Sequence, residues 1–459
     1  MFLAVEELLS KVGMKVFHEG VIELLEGHGC RVDSDRRVYI EQHLLKQALK
    51  TAPSVVQVYG REGQLAMELG ERNVYFGTGS DLLHTYDLET GERRDSVLAD
   101  VGRAARICDA LPNMDFLMSS AHPTDVPPHH SYVLAFKEMV ENSTKPLVLT
   151  AENAKDLKVM IDVSAEIRGG SDGLREKPYF VVYIEPISPL EQPIESLDKL
   201  LLCAEHGIPA LYSPAPLAGA TAPVTVAGHT AQGMAESLFG LVVHQLHRPG
   251  APFVFGVGPS VFDMVTAQAM YNSPEYLLTY MCAVEMSQWL DLPNWGYGGT
   301  SDSQVLDAQA GMEMGEVTLL SMLAGSNLNH DVGYLDFGLT ASVEGMVITD
   351  EFIDLNRKVV EGIEVSKETL AVDAIADVGP GGHFMTSEHT YKHMRSGQWR
   401  PSVFNRKGQD KWEEEGSVDL REAARRKALK LLEEHEVAPL SEDSAKRTAA
   451  VFNAFLENN

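Results

Sequence analysis

Aromatic and histidine side chains recur in this sequence at points where short apolar runs end. Tyr183 and Glu185 close one such run, Trp295 and Tyr297 belong to another, and His330 follows a third. Aromatic faces with few cationic neighbours bind cations, and quaternary ammonium ions above all. A single tyrosine or tryptophan is more commonly a core residue, so only the coincidence of several aromatics at strand ends indicates a binding site.

The histidines allow two interpretations. His122, His129 and His130 stand close together and could ligate a metal, but the segment lacks the His-x-His strand signature of metal-dependent barrel hydrolases. Ordinary loop histidines are therefore the preferred interpretation, and we predict no metal site. His330 stands beside two asparagines at a strand end, where a lone histidine is usually structural.

The elements that would position these residues alternate regularly from about residue 71. Eight successive units of strand, turn and helix predict a (β/α)8 TIM barrel rather than an open doubly wound sheet. No Gly-x-Gly-x-x-Gly fingerprint stands at a strand-to-helix junction, so a dinucleotide fold has little support. The predicted strands are 74–76, 116–118, 146–149, 179–184, 210–212, 253–255, 294–298 and 326–329.

Helical periodicity fills the intervals between these strands. Thr300, Ser301 or Asp302 would cap the helix that follows the seventh strand. The predicted helices are 97–110, 132–140, 156–168, 195–205, 227–244, 275–290, 303–323 and 343–360. On this pattern, residues 1–70 form an N-terminal helical cap, residues 71–400 the barrel, and residues 401–459 a C-terminal helical extension of the same domain.

The composition excludes several classes of partner. The 459 residues carry a formal net charge of -28, which disfavours nucleic acid and anionic membrane surfaces. No window approaches the roughly 20 apolar residues of a membrane span, and Glu6 and Glu7 interrupt the first apolar run, so we predict a cytoplasmic protein. The four cysteines are scattered without a Cys-x-x-Cys pair, which indicates free thiols rather than disulfides.

Longer stretches of the sequence resemble a known family over residues 15 to 436. They include VFHEGVIELLEGHGCRVD (16–33), FGTGSD (76–81), ISPLEQPIE (187–195), APVTVAGHTAQGMAESLFGLVVHQLHRPGAPFVFG (222–256), GGTSDSQVLDAQAG (298–311) and GYLDFGLTASVEGMVITDE (333–351). These stretches resemble the trimethylamine methyltransferase superfamily, in the non-pyrrolysine branch that includes glycine betaine methyltransferases.

The resemblance implies a TIM barrel that moves a methyl group from a methylated amine to the Co(I) corrinoid of a separate protein. That corrinoid protein would dock over the barrel mouth. The sequence has no Asp-x-His-x-x-Gly motif for a corrinoid of its own, so we expect no tightly bound cofactor and a cob(I)alamin-type corrinoid presented by the partner. We also expect a homo-oligomer.

The substrate implied is a quaternary amine. Every position is a standard residue, so pyrrolysine is absent, and a quaternary ammonium needs no added electrophile because its leaving group is a neutral tertiary amine. Some betaine-type relatives carry an arginine where this chain has Pro293-Asn294-Trp295. This departure favours carnitine, proline betaine or γ-butyrobetaine over glycine betaine itself.

Residue roles follow from the same resemblance. His330, just before GYLDFGLTAS, resembles a histidine that acts near the corrinoid, where it would relay a proton. Glu185 would supply a counter-charge to the ammonium, although a structural ion pair explains it equally well. Asn327 and Ser213 would bind a carboxylate or hydroxyl of the substrate. The residues expected to form the aromatic cage are Phe76, Tyr183, Trp295, Tyr297 and Phe337.

Two other classes of function stay open from the sequence. One is a metal-dependent TIM-barrel hydrolase that acts on a small amine or amide. The other is a betaine-binding protein that kept the barrel and lost turnover.

Overall fold

Eight short parallel segments form a ring at the centre of the computed structural model, which describes residues 1–458. Two sheets supply most of the ring, and three isolated parallel bridges join them: Gly77 to Phe116, Leu117 to Leu147, and Phe255 to Asn294. The strands of the two sheets are Leu147–Leu149, Phe180–Ile184, Ala210–Tyr212 and Phe253–Phe255, and Trp295–Tyr297, Leu328–His330 and Tyr75–Phe76. The predicted (β/α)8 architecture is therefore confirmed.

Side chains alternate strictly across this ring. Val148, Val181, Leu211 and Val254 pack with one another in the interior, whereas their sequence neighbours pack in a second cluster with the surrounding helices. This period of two follows from the pleat of a β-strand. Both faces are buried, which explains why the strands are continuous apolar runs in the sequence.

A hairpin closes the amino-terminal end of the ring. Its strands Val56–Tyr59 and Leu65–Leu69 place apolar side chains in the same cluster as the barrel interior. The Tyr59 amide donates to the carbonyl of Pro178, which directly precedes a barrel strand. The hairpin therefore fills one end of the barrel, and the opposite end, where the strands finish, stays open.

The helices surround the ring. The strand-to-helix alternation agrees with the prediction, with one correction: the helix expected from residue 303 begins at Ala308, where the Asp307 side chain accepts from the amide of Ala310. The helices are Phe2–Glu7, Glu19–Gly27, Gln42–Thr51, Leu98–Ala110, Ser131–Asn142, Ala154–Arg168, Ser171–Glu176, Ile194–His206, Val226–His247, Pro274–Trp289, Ala308–Ala324, Val343–Val360, Lys367–Leu370, Val372–Val378, Glu388–His393, Gln409–Glu414, Leu420–Glu434 and Glu442–Asn458.

The loop before Ala308 has its own hydrogen bonds. The Glu313 carboxylate accepts from the Ser301 hydroxyl and from the Asp302 amide, and the Asp302 carboxylate accepts from the amides of Tyr271 and Asn272. The capping residues expected at the helix start therefore hold the loop instead. Asp302 thereby holds this loop against the segment that follows the hairpin of Ser260–Asp263 and Gln268–Met270.

Short strands outside the ring build the rest of the structure. The N-terminal region is mixed rather than wholly helical, because three of its segments form a sheet in which Met14–Val16 pairs with a strand from residue 191. These additional strands are Met14–Val16, Arg31–Val32, Arg37–Tyr39 and Glu191–Gln192; Leu217–Ala218, Ser260–Asp263 and Gln268–Met270; and His84–Tyr86, Arg93–Asp95, Tyr334–Leu335 and Thr340–Ala341.

The C-terminal helices pack on the barrel wall. Leu420–Glu434 lies against Val343–Val360, and Glu442–Asn458 lies against Ala154–Arg168. The described stretch 357–402, which precedes both of these C-terminal helices in the sequence, includes no buried side chain. No helix within residues 1–458 combines the length and the apolar character that a membrane crossing requires.

Close packing of a helix on a strand gives a test of the fold. A Cβ at Gly240, in helix Val226–His247, would lie 2.3 and 2.5 Å from ring atoms of Tyr212, whereas a Cβ at Gly311 would meet nothing within 4 Å. We expect Gly240→Ala to lower the free energy of unfolding by about 1–3 kcal/mol through overpacking. Gly311→Ala should leave it unchanged or raise it by up to about 1 kcal/mol through helix propensity.

Urea unfolding of both variants measures the difference. Equal stabilities for the two variants would contradict the packing of this helix against Tyr212.

Candidate active site

A cavity of about 250 Å³ lies at the open end of the barrel. Its wall comes from segments that follow seven of the eight barrel strands, from the hairpin after Phe253–Phe255 and from the segment after His330. The side of a barrel on which the strands end is where enzymes of this fold place their active sites. The lining residues are Ser80, Asp81, Met118, Tyr183, Glu185, Ala215, Gly258, Ser260, Tyr271, Tyr297, His330, Asp331, Tyr334 and Gly338.

His330 stands between two aromatic side chains of the neighbouring strand. Its ring centroid is 3.9 Å from that of Trp295, nearly parallel, and 4.8 Å from that of Tyr297. The parallel register pairs Tyr297 with His330 directly, so all three side chains point into the barrel. Trp295 is only 2% exposed and lies beneath His330, as a support for the histidine rather than a wall of the cavity.

Burial and two polar neighbours determine the protonation state of His330. Nδ1 lies 2.7 Å from the Gly296 carbonyl oxygen, and Nε2 lies 3.1 Å from Oδ1 of Asp331. Burial lowers the pKa of His330 to about 3, although the Gly296 carbonyl opposes this shift. Burial also raises the pKa of Asp331 well above its usual value. Both shifts favour a neutral pair, in which Nδ1–H donates to Gly296 and the Asp331 carboxyl donates to Nε2.

Two further carboxyl groups reach the cavity. Burial raises the pKa of Asp81, and it raises the pKa of Glu185 with a further contribution from the negative charge of Asp81. Glu185 accepts a hydrogen bond from the Tyr183 hydroxyl. The Glu185 side chain is open to the cavity, yet protein surrounds that cavity on most sides, so its carboxylate is poorly solvated. Its neighbours therefore decide whether it is charged.

Four tyrosines complete the lining. Burial raises the pKa of Tyr271 to about 12 and that of the other three, Tyr183, Tyr297 and Tyr334, well above the usual value, so all four stay protonated. The Tyr334 hydroxyl donates to the Ser80 carbonyl. The cavity therefore presents neutral aromatic rings and hydroxyls beside its carboxyl groups.

Four of the residues expected from the sequence line this cavity: Tyr183, Glu185, Tyr297 and His330. Phe76 does not, because it packs in the outer cluster between strand and helices, where a Cβ at Gly298 would meet its ring at 2.7 Å.

Three other expected residues lie elsewhere. The Asn327 amide donates to the carbonyls of Gly70 and Asn73 at the closed end of the barrel, so its role in the structure is to join strands. Ser213 is fully buried behind Gly256, and its hydroxyl has no partner within residues 1–458. Phe337 is half-buried with a φ of 55° and stands outside the lining, although the adjacent Gly338 belongs to it.

The sequence interpretation assigned no role to several lining residues. Asp81 stands two residues after Gly79 in FGTGSD and Asp331 directly follows His330, so both have the position after a strand that indicates the site. Tyr271 comes from the hairpin Ser260–Asp263 and Gln268–Met270, which has no counterpart in the alternating pattern. Tyr334 lies four residues beyond His330 and reaches back over the cavity.

The histidines considered for a metal site do not converge on one. The rings of His129 and His130 meet edge to face with their centroids 4.1 Å apart, and the ring centroid of His122 lies 5.7 Å from that of Tyr132. Over the described residues 1–458, no three histidine, cysteine, aspartate or glutamate side chains are arranged to hold a metal ion.

The neutral pair predicts how His330 responds to acid. His330 should remain neutral, with the proton on Nδ1, while the pH is lowered from 8 to 5, because its folded-state pKa is about 3. Nitrogen-15 NMR of histidine-labelled protein measures this, with His330→Gln identifying the signal. A titration of that signal with a midpoint near 6.5 would contradict the arrangement.

Comparisons with known proteins agree with this geometry. The profile of the trimethylamine methyltransferase family matches residues 3–453. A trimethylamine methyltransferase of Desulfitobacterium hafniense is 32% identical over 443 residues, covering 96% of this chain and 88% of that protein. A glycine betaine methyltransferase of another strain of that species is 28% identical over 411 residues, covering 89% of this chain and 85% of that protein.

A solved structure supports the fold. The monomethylamine methyltransferase of Methanosarcina barkeri superposes with a TM-score of 0.51 at 12% identity, covering 99% of this chain and 92% of that one. Because the family profile spans nearly the whole sequence and a curated relative exceeds 30% identity, this chain belongs to the trimethylamine methyltransferase family.

Proposed function

We propose that this chain transfers a methyl group from a quaternary amine in the cavity to the Co(I) corrinoid of a separate protein. The observation that carries the proposal is the cavity itself, whose lining within residues 1–458 combines four tyrosines and three carboxyl groups with no lysine or arginine. Aromatic faces and carboxylates attract an organic cation, and the absence of competing cations leaves them available to it.

The reaction suits such a site. In the transfer, the bond between the methyl carbon and the nitrogen breaks, and the electron pair stays on the nitrogen, which leaves as a neutral tertiary amine. The methyl carbon forms its new bond with the electron pair of Co(I). The positive charge of the amine is lost on the way, so a site that holds the reactants together away from water lowers the barrier.

His330 and Asp331 are proposed to move a proton during the cycle. Nε2 and Oδ1 lie 3.1 Å apart in the cavity wall, so the charge of a bound amine would act on a proton that the two atoms share. A cation favours ionised Asp331, whose proton leaves to solvent through the cavity mouth, and loss of that cation favours the return of a proton from solvent to Asp331. Trp295 and Gly296 hold the imidazole in place throughout this change.

The acceptor is proposed to reach the amine from outside. A cavity of about 250 Å³ holds a small molecule but is too small for a corrinoid, so the corrinoid must meet the substrate at the mouth. Loops that follow the barrel strands expose apolar side chains on that face, which suits a docking protein. They are Leu83, Ile187, Val224, Met264, Val265, Val305 and Leu339.

The betaines remain candidate substrates on this proposal: glycine betaine, carnitine, proline betaine and γ-butyrobetaine. A relative is named for trimethylamine, which this proposal does not include because its nitrogen is not quaternary. That the chain forms a homo-oligomer stays a prediction. Its subunits would meet through the exposed apolar side chains of 357–402, such as Ile363 and Met385.

Methylation of free cob(I)alamin tests the reaction. We expect its absorbance to change with at least one quaternary amine of a panel that includes the betaines and choline, and not with trimethylamine, whose lone pair leaves its methyl groups unactivated. The cognate corrinoid protein is then added to reactions that stay silent. Silence across the panel in its presence, with amine binding retained, would favour the betaine-binding alternative, and dependence on added zinc or iron would favour the hydrolase.

His330→Ala separates binding from transfer. His330 is one of fourteen lining residues, so the variant should keep the affinity for the amine within about threefold. Methyl transfer should fall at least about tenfold, in the range expected for loss of an acid–base group. Calorimetry and the cob(I)alamin assay measure the two effects, with Tyr391→Ala, whose side chain is 82% exposed, as the control. Unchanged transfer would remove His330 from the mechanism.

A further inference from the structure

The charges around the cavity show which part of a substrate can be accommodated. Asp81, Glu185 and Asp331 place three carboxyl groups on its lining, whereas the lining described for residues 1–458 has no cationic side chain. The charge of Lys199 acts on Asp81 and Glu185, but Lys199 is buried behind the wall, where its Nζ donates to the Ala151 carbonyl at 2.8 Å. A betaine would therefore find partners for the charge of its ammonium group and no cationic partner for its carboxylate.

Insertion of a carboxylate here has a large cost. A charge removed from water without an opposite partner costs several kcal/mol, and neighbouring charges of the same sign add to that cost. A hydroxyl avoids it, because the hydroxyls of Ser80 and Ser260 and the carboxyl groups themselves can exchange hydrogen bonds with it. This lining therefore discriminates between ligands that share an ammonium head by the group at their tail, a carboxylate or a hydroxyl.

The carboxyl groups also respond to the charge of the ligand. Burial raises the pKa of Glu185 and of Asp331, and the negative charge of Asp81 adds to the first shift as that of Glu185 adds to the second. A bound cation stabilises the ionised forms, so it expels protons, and its affinity must rise with pH. A betaine held by protonated carboxyls that donate to its carboxylate would show the opposite dependence.

We propose that the substrate of this cavity is a quaternary ammonium ion without a carboxylate, of the choline class, in which a hydroxyl stands where a betaine has its acid. That such an ion is a substrate, and not only a ligand, rests on the proposed methyl transfer. The binding preference itself rests only on the residues of the lining.

Choline and glycine betaine form the matched pair that tests it, because they share the trimethylammonium head and differ in the tail. Calorimetry of the full chain at pH 6 and pH 8 measures both affinities. We expect choline to bind at least tenfold more tightly than glycine betaine at pH 8, and its affinity to rise severalfold from pH 6 to pH 8 with release of protons to the buffer. Equal or tighter binding of glycine betaine, a choline affinity that falls with pH, or binding of neither ligand overturns the proposal.

A variant identifies the group responsible. Glu185→Gln should weaken choline by about tenfold and reduce the preference over glycine betaine, because it removes a negative charge and keeps the side-chain shape. Glu364→Gln, at an exposed position far along the chain from every lining residue, is the matched control and should change neither. A preference unaffected by Glu185→Gln and equally unaffected by Asp81→Asn would show that these carboxyls do not select the ligand.

The cob(I)alamin assay distinguishes failure of the substrate proposal from failure of the proposed function. Methyl transfer from glycine betaine and not from choline overturns the substrate proposal and leaves the proposed function intact. Choline binding with the expected pH dependence, but without transfer to cob(I)alamin or to the cognate corrinoid protein, overturns the proposed function and leaves the binding preference intact.

Discussion

The alternation of side chains around a closed ring constrains everything that this structure can do. Each strand has one set of positions that face the interior, and the pleat assigns them without exception along the strand. Trp295, Tyr297 and His330 share that orientation, so the histidine is held between two aromatic rings. A shift of one residue in either strand would move these side chains out among the helices and remove the site.

Burial then sets the chemistry of the groups so placed. Burial lowers the pKa of His330 and raises that of the adjacent Asp331, because neither ion is adequately solvated. The same enclosure keeps four tyrosines protonated, so the aromatic faces keep the negative potential that attracts a cation. The site is thus prepared for a positive ligand by its solvation rather than by a large number of fixed negative charges.

Much of the fold could be predicted because buried parallel strands leave continuous apolar runs in the sequence. Seven of the predicted strands match strands of the barrel to within about two residues, which is the usual uncertainty of element boundaries.

The residues of the site were harder to predict than the fold. Tyr75 and Phe76 are adjacent aromatics on a two-residue strand, and nothing in their types shows which one faces inward. Asn327 is polar because it bonds to the backbone at the closed end, a partner that no local pattern reveals. Tyr271 reaches the cavity from a hairpin held by Asp302, a contact between segments 31 residues apart.

The closed end of the barrel adds a kinetic consequence to the proposed function. The hairpin of Val56–Tyr59 and Leu65–Leu69 packs into the amino-terminal end of the ring, so within the described residues the cavity communicates with solvent through the mouth. An acceptor protein docked on the exposed apolar rim would cover that mouth. On the proposed function, the amine would enter before the acceptor docks, and the demethylated amine would leave after the acceptor departs. Such an order keeps water away from the reacting atoms during the transfer, at the moment when the charge of the amine is lost.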